Sequence, residues 1–169
     1  MHELAEWRDF YVMIGTASGA IVGASFIVAT LAANLEMRAL GMRGFITPTA
    51  VHLSSVLVGS AVLTVPTLTR VSLAVLLGAG GIGGTVYSIM AATRIWRMNL
   101  DMDDRAFYIA LPIAAYAAMA TASLMCLGTG ETSFETLAAA LVALLVIGLR
   151  NAWDMATFVI MQGDKKPGE

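Results

Sequence analysis

The strongest constraint on this chain is a set of five uncharged, apolar stretches separated by short segments that hold most of the arginines. A bilayer core of about 30 Å needs roughly 20 helical residues to cross it. Four of the stretches are long enough, and the fifth becomes so if its helix continues past Arg150 and Asp154. The pattern predicts a multi-pass membrane protein. By number the stretches are 10–35, 44–69, 71–93, 106–130 and 136–149.

An all-α fold is expected, because a membrane span must satisfy its backbone internally and these stretches are far longer than the strands of a membrane barrel. The chain is 58% hydrophobic and 13% charged, whereas soluble domains are about 25% charged. The alternative to five spanning helices is four, plus an interfacial helix. We predict a single transmembrane domain over 1–169, with helices near 10–35, 47–69, 71–95, 106–128 and 135–160.

The basic residues predict the orientation. With five spans, Arg8 and Arg70 fall on one side and seven basic residues on the other, which by the positive-inside rule places the N-terminus outside and the C-terminus in the cytoplasm. Aromatic residues at the span boundaries, such as Trp7 and Trp153, fit interfacial belts. The seven are Arg38, Arg43, Arg94, Arg97, Arg105, Lys165 and Lys166.

Acidic residues gather on the predicted outer side. Asp9, Glu131 and Glu135 are candidates for an acidic rim that would concentrate cations. The alternative is that acids close to helix N-termini only complement the helix dipole.

Three glycines recur at intervals of four in the first stretch, at Gly15, Gly19 and Gly23. Small residues at this spacing let helix backbones approach closely, and in lipid such packing decides which faces associate. We predict a helix-packing face here. The motif leaves open whether its partner is another helix of the chain or a second copy, and we expect a symmetric homo-oligomer.

The third stretch contains a dense glycine run over 78–84 that matches the dinucleotide pattern G-x-G-x-x-G. That motif requires a strand before it and further strands to complete a sheet. Here the apolar run continues to Thr93, with membrane-length stretches on both sides. We therefore assign Gly80 and Gly84 to helix packing and predict no nucleotide cofactor.

Ionisable residues within membrane spans are functional candidates because their burial costs free energy. The densest set is Arg150, Asn151 and Asp154, and the four-residue spacing predicts an ion pair between Arg150 and Asp154. The set is either a structural ion pair near the inner interface or a polar lining or gate. His52, one turn into the second stretch, is either a hydrogen-bonded packing residue or part of that lining.

The chain resembles a family of small, poorly characterised bacterial inner-membrane proteins through two motifs, Trp-x-Asp-Phe-Tyr over 7–11 and Arg-Asn-Ala-Trp-Asp over 150–154. Some relatives are labelled as modulators of a membrane-anchored AAA protease. The resemblance implies a bacterial inner-membrane location, and it names no substrate, cofactor or catalytic residue. The positions it emphasises are Trp7, Asp9, Arg150, Asn151 and Asp154.

The sequence predicts a non-enzymatic protein without a cofactor or metal, since it has one cysteine, two histidines and no Ser/His/Asp or Cys/His set. No nucleic-acid partner is expected. Two functions remain open. One is a homo-oligomeric assembly in the lipid bilayer with a pathway for ions or small solutes, and the other is an adaptor that docks on another membrane protein.

Overall fold

The computed structural model describes residues 2–34, 43–95, 102–128 and 132–163. Five helices are long and apolar enough to cross a membrane, which confirms the all-α, multi-pass fold. Five of the predicted orientation and rim residues lie outside the described ranges: Arg38, Arg97, Glu131, Lys165 and Lys166. The elements in chain order are α1 (His2–Glu6), α2 (Arg8–Asn34), α3 (Arg43–Thr64), α4 (Arg70–Ile95), α5 (Met102–Arg105), a π-helical segment (Ala106–Ala110), α6 (Leu111–Met125) and α7 (Thr132–Gly163).

The fifth span is the longest helix of the described chain rather than an interfacial segment. α7 has 32 residues, about 48 Å at 1.5 Å per residue. Its apolar span covers Ser133–Met161, so the helix passes through Arg150 and Asp154 without a break. The charged residues are therefore carried inside a spanning helix.

The second span ends earlier than the sequence pattern indicates, at Thr64 instead of residue 69. Pro66 has no N–H to continue the helix, and it disfavours helical geometry in the residue before it. A last turn is closed by the Val65 N–H donating to the Val62 carbonyl at 3.3 Å. The next helix is capped by Thr69, whose hydroxyl accepts from the Ser72 N–H at 3.1 Å.

The fourth span changes its hydrogen-bond register just before Pro112. The Leu111 N–H donates to the Ala106 carbonyl five residues back, as in a π-helix. Pro112 cannot donate to the carbonyl four residues before it, so a wider turn ahead of the proline is the local solution.

α7 lies at the centre of the bundle. It packs against α2, α3 and α6, while α4 packs on α6 and α3. Half of the residues in the α7 span are buried, against 17% in the α2 span. The core between these helices is apolar and includes Tyr11, Val56, Leu63, Leu73, Leu77, Tyr116, Met119, Phe134, Leu137, Leu141 and Leu144.

Two long-range hydrogen bonds join the helices at one end of the bundle, called here the N-terminal face because α2 starts there. The Tyr11 hydroxyl donates to the Phe134 carbonyl at 2.9 Å, which sets α2 beside the start of α7. The Arg70 guanidinium donates to the Gly128 carbonyl at 2.9 Å. α3 and α5 start at the opposite end, the C-terminal face.

Candidate functional site

Arg150 is held by the segment that precedes α6. Its guanidinium Nη2 lies 3.7 Å from the Asp104 carboxylate, and each side chain is about a third exposed, 32% and 39%. The guanidinium carbon lies 4.0 Å from the centre of the Phe107 ring, within the range of a cation–π interaction. Arg150 of α7 is thus tied to both α5 and the π-helical segment.

The expected pairing of Arg150 with Asp154 is wrong: the ion pair joins Arg150 to Asp104 instead. The Phe107 ring and the Asp104 carboxylate both approach the guanidinium from the neighbouring helix. The side chain is thereby drawn across the interface and away from its own helix. Asp154 is half-buried one turn further along α7.

Asn151 is fully buried beside this ion pair. Within the described residues, neither its amide nitrogen nor its amide oxygen has a hydrogen-bond partner, and the same is true of Nη1 of Arg150. A buried polar group without a partner costs about 1–3 kcal/mol. Buried polar groups in proteins are nearly always paired, so three unpaired atoms on adjacent residues call for a functional explanation.

The depth of Asn151 follows from the register of α2 and α7, which run in the same direction from the N-terminal face. Asn151 comes 17 residues after Phe134, about 25 Å along the helix. This length is still within a bilayer core of about 30 Å. With a core that begins at the level of Phe134, Arg150 and Asn151 lie near its edge at the C-terminal face.

His52 belongs to a second polar group, nearer the middle of the bundle. Its Nδ1 lies 3.1 Å from the Tyr116 hydroxyl, which donates to the Ser55 hydroxyl at 2.9 Å. Ser55 in turn donates to the Val51 carbonyl at 2.8 Å. The Tyr116 proton is donated to Ser55, so the His52 Nδ1–H must donate to the Tyr116 hydroxyl. This chain of hydrogen bonds fixes the histidine tautomer as the one protonated on Nδ1.

The glycines of α4 form the closest helix contact, with α6. A Cβ at Gly81 would lie 2.6 Å from the Ala120 backbone nitrogen, and one at Gly84 would overlap the Tyr116 ring. A Cβ at Gly80 would lie 3.3 Å from the methyl group of Met119. Of the two glycines named from the sequence, Gly84 lies in the closest part of this contact, and Gly80 lies at its edge and is exposed.

The glycines of α2 make looser contacts with the neighbouring helix. A Cβ at Gly15 would lie 3.0 Å from the Ser60 Cβ of α3, and one at Gly19 would lie 3.7 Å from a Leu57 methyl group. In the part of the chain that the structure describes, no atom lies within 4 Å of a Cβ placed at Gly23. The predicted packing face therefore contacts α3 at one end and is open at the other.

The acidic candidates of the N-terminal face are exposed at helix starts. Asp9 lies in the first turn of α2 and Glu135 in the first turn of α7. The Tyr11–Phe134 hydrogen bond brings these two turns together. Both positions also suit the favourable end of a helix dipole.

Sequence reasoning missed Asp104, Phe107, Tyr116 and Gly81. Asp104 and Phe107 lie at the border of a span, where charged and aromatic residues are ordinary. Tyr116 is a single hydroxyl in an apolar run, and the available signal was its central position in the span. Gly81 belongs to a three-residue glycine spacing, Gly78-x-x-Gly81-x-x-Gly84, that the four-residue motif concealed.

A scan against family models gives no match to this chain, and searches of curated proteins and of solved structures give none either.

Proposed function

We propose that this non-enzymatic membrane protein assembles from several copies and that the assembly passes ions or small polar solutes, with Arg150, Asn151 and Asp104 as the gate. The observation that carries the proposal is the buried, unpaired amide of Asn151 beside the unpaired Nη1 of Arg150, inside the membrane. Ionisable and polar groups at such depth are typical of permeation pathways. The ion pair with Asp104 holds the two sides of this site together.

The pathway is proposed to run between copies over the half of the bundle next to the N-terminal face, because the centre of one copy is filled there. It passes the gate inside each copy only in the half next to the C-terminal face. Large apolar side chains pack between α2, α3, α6 and α7 over the half of the bundle next to the N-terminal face, among them Tyr11, Leu63, Phe134 and Leu137. A polar solute would have to displace this packed core. A route along the contact between copies avoids that cost.

The proposed contact is the outward side of α2 together with α3. A groove of about 260 Å³ lies between these helices and is lined by Gly15, Thr16, Gly19 and Ala61. Ser60 also lines it, and its buried hydroxyl has no hydrogen-bond partner among the described residues. Below the groove, Gly23 continues the small-residue surface, which suits close packing of a helix from a second copy.

Flux through purified protein in liposomes tests the gate. Asp104→Ala removes a partly exposed ion pair worth about 0.2–1 kcal/mol, so we expect up to about a fivefold rise in flux from a shifted open–closed equilibrium. Asn151→Leu removes the polar lining, and flux should fall. Leu149→Ala, at the neighbouring lipid-facing position, is the matched control. Silent wild-type protein, or equal flux from Asp104→Ala and Leu149→Ala, would reject the gate.

The oligomeric state in nanodiscs or native membranes tests the assembly surface. Gly23→Leu places a bulky side chain on the open face of α2 and should dissociate the assembly. Gly83→Leu is the matched control, because Gly83 on α4 also has no atom within 4 Å of a Cβ. Identical oligomers from both variants would show that the α2 face is not the contact.

The proposal also assigns an orientation, with the N-terminal face outside and the C-terminal face on the cytoplasmic side of a bacterial inner membrane. The sequence bias of basic residues supports it. Labelling of single cysteines introduced at Asp9 and Asp104, in a Cys126→Ser background, by a membrane-impermeant thiol reagent tests it. Only the cysteine at position 9 should react in intact cells.

The second candidate function is an adaptor or modulator that docks on another membrane protein, such as a membrane-anchored protease. The open face of α2 favours it as well, since a helix of a different protein could pack there. Monomeric protein without flux, together with a partner that cross-links to the wild type and not to Gly23→Leu, would select this function over permeation.

A further inference from the structure

Asn151 and His52 are two buried polar side chains with hydrogen-bonding groups left over. Within the described residues, the amide nitrogen and amide oxygen of Asn151 have no partner. His52 is bonded there through Nδ1, to the Tyr116 hydroxyl. Because Nδ1 carries the ring proton, Nε2 keeps a lone pair, and no described group donates to it. A donor on α7 and an acceptor on α3 are therefore both open.

Two glycine contacts fix the register of α3 against α7. A Cβ at Gly148 of α7 would lie 2.6 Å from the Leu53 side chain of α3. A Cβ at Gly59 of α3 would lie 3.2 Å from the Leu141 side chain of α7. The residue numbers fall along α7 as they rise along α3, so the two helices are antiparallel.

In this register, Asn151 and His52 lie at nearly the same level. Asn151 follows Gly148 by three residues and His52 precedes Leu53 by one, and both steps lead towards the C-terminal face. The levels therefore differ by two residues, about 3 Å along the helix axis. Side chains lean towards the N-terminus of their own helix, so those of an antiparallel pair lean towards each other and close this difference.

The two side chains also point into the same space. Around the circumference of α7, Asn151 lies between Gly148, which faces α3, and Arg150, whose guanidinium contacts the segment before α6. His52 of α3 bonds to Tyr116 of α6, and the residue after it contacts α7. Asn151 is 0% exposed, and His52 keeps a small surface, 2%. Both side chains therefore border the junction of α3, α6 and α7.

The open groups at this junction suit a small neutral molecule. A molecule between the two side chains must accept from the Asn151 amide N–H and donate to Nε2 of His52. Asn151 is uncharged, and so is a histidine protonated on Nδ1 alone, so no charge is required of the molecule. Water is the smallest molecule that does both, and buried waters typically make about three hydrogen bonds to otherwise unsatisfied polar groups.

We propose that the junction of α3, α6 and α7 binds one internal water molecule, which accepts from the Asn151 amide N–H and donates to Nε2 of His52. The water completes a chain of hydrogen bonds from α7 through His52 and Tyr116 to Ser55. In the proposed gate, it is the molecule that a passing polar solute would replace. The site itself does not rest on the permeation function, because it lies within one copy.

Solid-state NMR of nitrogen-15-labelled protein in liposomes tests the site through magnetisation transfer from water protons. We expect a His52 ring protonated on Nδ1 alone. Transfer to Nε2 of His52 and to the Asn151 side-chain nitrogen should build up severalfold faster than transfer to the Leu144 backbone nitrogen. Leu144 is the dry control, because it is fully buried on the same helix in the apolar core. A His52→Gln sample separates the His52 signals from those of His2.

Asn151→Leu removes the donor to the water and should slow transfer to Nε2 of His52 to the rate seen at Leu144. Leu149→Ala, on the lipid-facing side of α7, should leave the transfer unchanged. The measurement on the wild type keeps the test independent of how Asn151→Leu folds.

Three results would each overturn the site. The first is a His52 ring that carries a proton on Nε2, since that nitrogen could not then accept from water. The second is transfer to both side-chain nitrogens as slow as that to Leu144. The third is a nitrogen–nitrogen coupling between Asn151 and His52, which would show a direct hydrogen bond with no water between them.

Discussion

The glycines of α4 and those of α2 look alike in sequence and serve different contacts. On α4, the Ala120 backbone and the Tyr116 ring occupy the space beside Gly81 and Gly84. On α2, the space beside Gly23 is empty to beyond 4 Å. The spacing shows that one face of a helix lacks bulky side chains. Whether another helix of the same chain covers that face depends on the tertiary packing.

The difference also divides the molecule by role. The contact between α4 and α6 is internal and holds the Tyr116 hydroxyl against His52 and Ser55. Beside Gly23 on α2, by contrast, no atom of the described residues lies within 4 Å of a Cβ. Substitutions on the two faces should therefore act on different properties, folding for α4 and association for α2.

The largest effect is expected at the closed face. Gly81→Ala or Gly84→Ala forces a methyl group into backbone or ring atoms and should cost at least about 1–3 kcal/mol of unfolding free energy, the usual range for overpacking. Unfolding in mixed micelles measures it. Gly83→Ala, on the open side of the same helix, should be neutral or stabilising by about 0.5–1 kcal/mol, because alanine favours helix. Similar losses from all three variants would contradict a specific contact.

A smaller loss is expected from the ring that covers Gly84. Tyr116→Phe keeps the ring and removes the hydroxyl, which leaves His52 and Ser55 without their partner and should cost about 1–3 kcal/mol. Combining it with His52→Leu removes both ends of one bond and should cost less than the two single changes added together. Strict additivity in this cycle would show that the bond has no energetic weight.

An intermediate result at Gly15 would sharpen the comparison. Gly15→Ala brings a methyl group to 3.0 Å from the Ser60 Cβ, and we expect a loss below about 1 kcal/mol, since only a small shift of α2 is needed. Thermal unfolding of this variant beside Gly81→Ala measures the ratio. A loss of stability as large as that of Gly81→Ala would show that α2 packs against α3 as closely as α4 packs against α6.

The smallest effect on folding is expected at Gly23. Gly23→Ala meets no atom and should be stabilising by up to about 1 kcal/mol through helix propensity. Its oligomeric state should remain that of the wild type, because alanine still permits close helix packing. Destabilisation of a monomeric preparation would mean that α2 packs against its own chain more tightly than described.

The sequence predicts the helices well and their side-chain partners poorly. The five spans follow from charge-free length alone, because lipid imposes that length on a helix. The early end of α3 could have been read from Pro66, whose missing N–H stops the helix. Local sequence rules therefore predict the helices and where they end.

The partners of the candidate site depend on contacts between distant segments. Arg150 has Asp154 one turn away in sequence and pairs with Asp104 on another helix. The local sequence pattern does not show which of these two carboxylates pairs with Arg150, since the pairing depends on how α7 lies against the segment before α6. The bond from His52 to Tyr116 spans 64 positions and is beyond sequence spacing for the same reason.

The central place of α7 has a consequence for the synthesis of the protein. Chains leave the ribosome from the N-terminus at about 5–20 residues per second, so the helix on which α2, α3 and α6 pack is made after the other four spanning helices. Until it inserts, those helices hold their inward faces open to lipid and to the quality-control machinery of the membrane. Assembly of the bundle is therefore a late event, set by the insertion of α7.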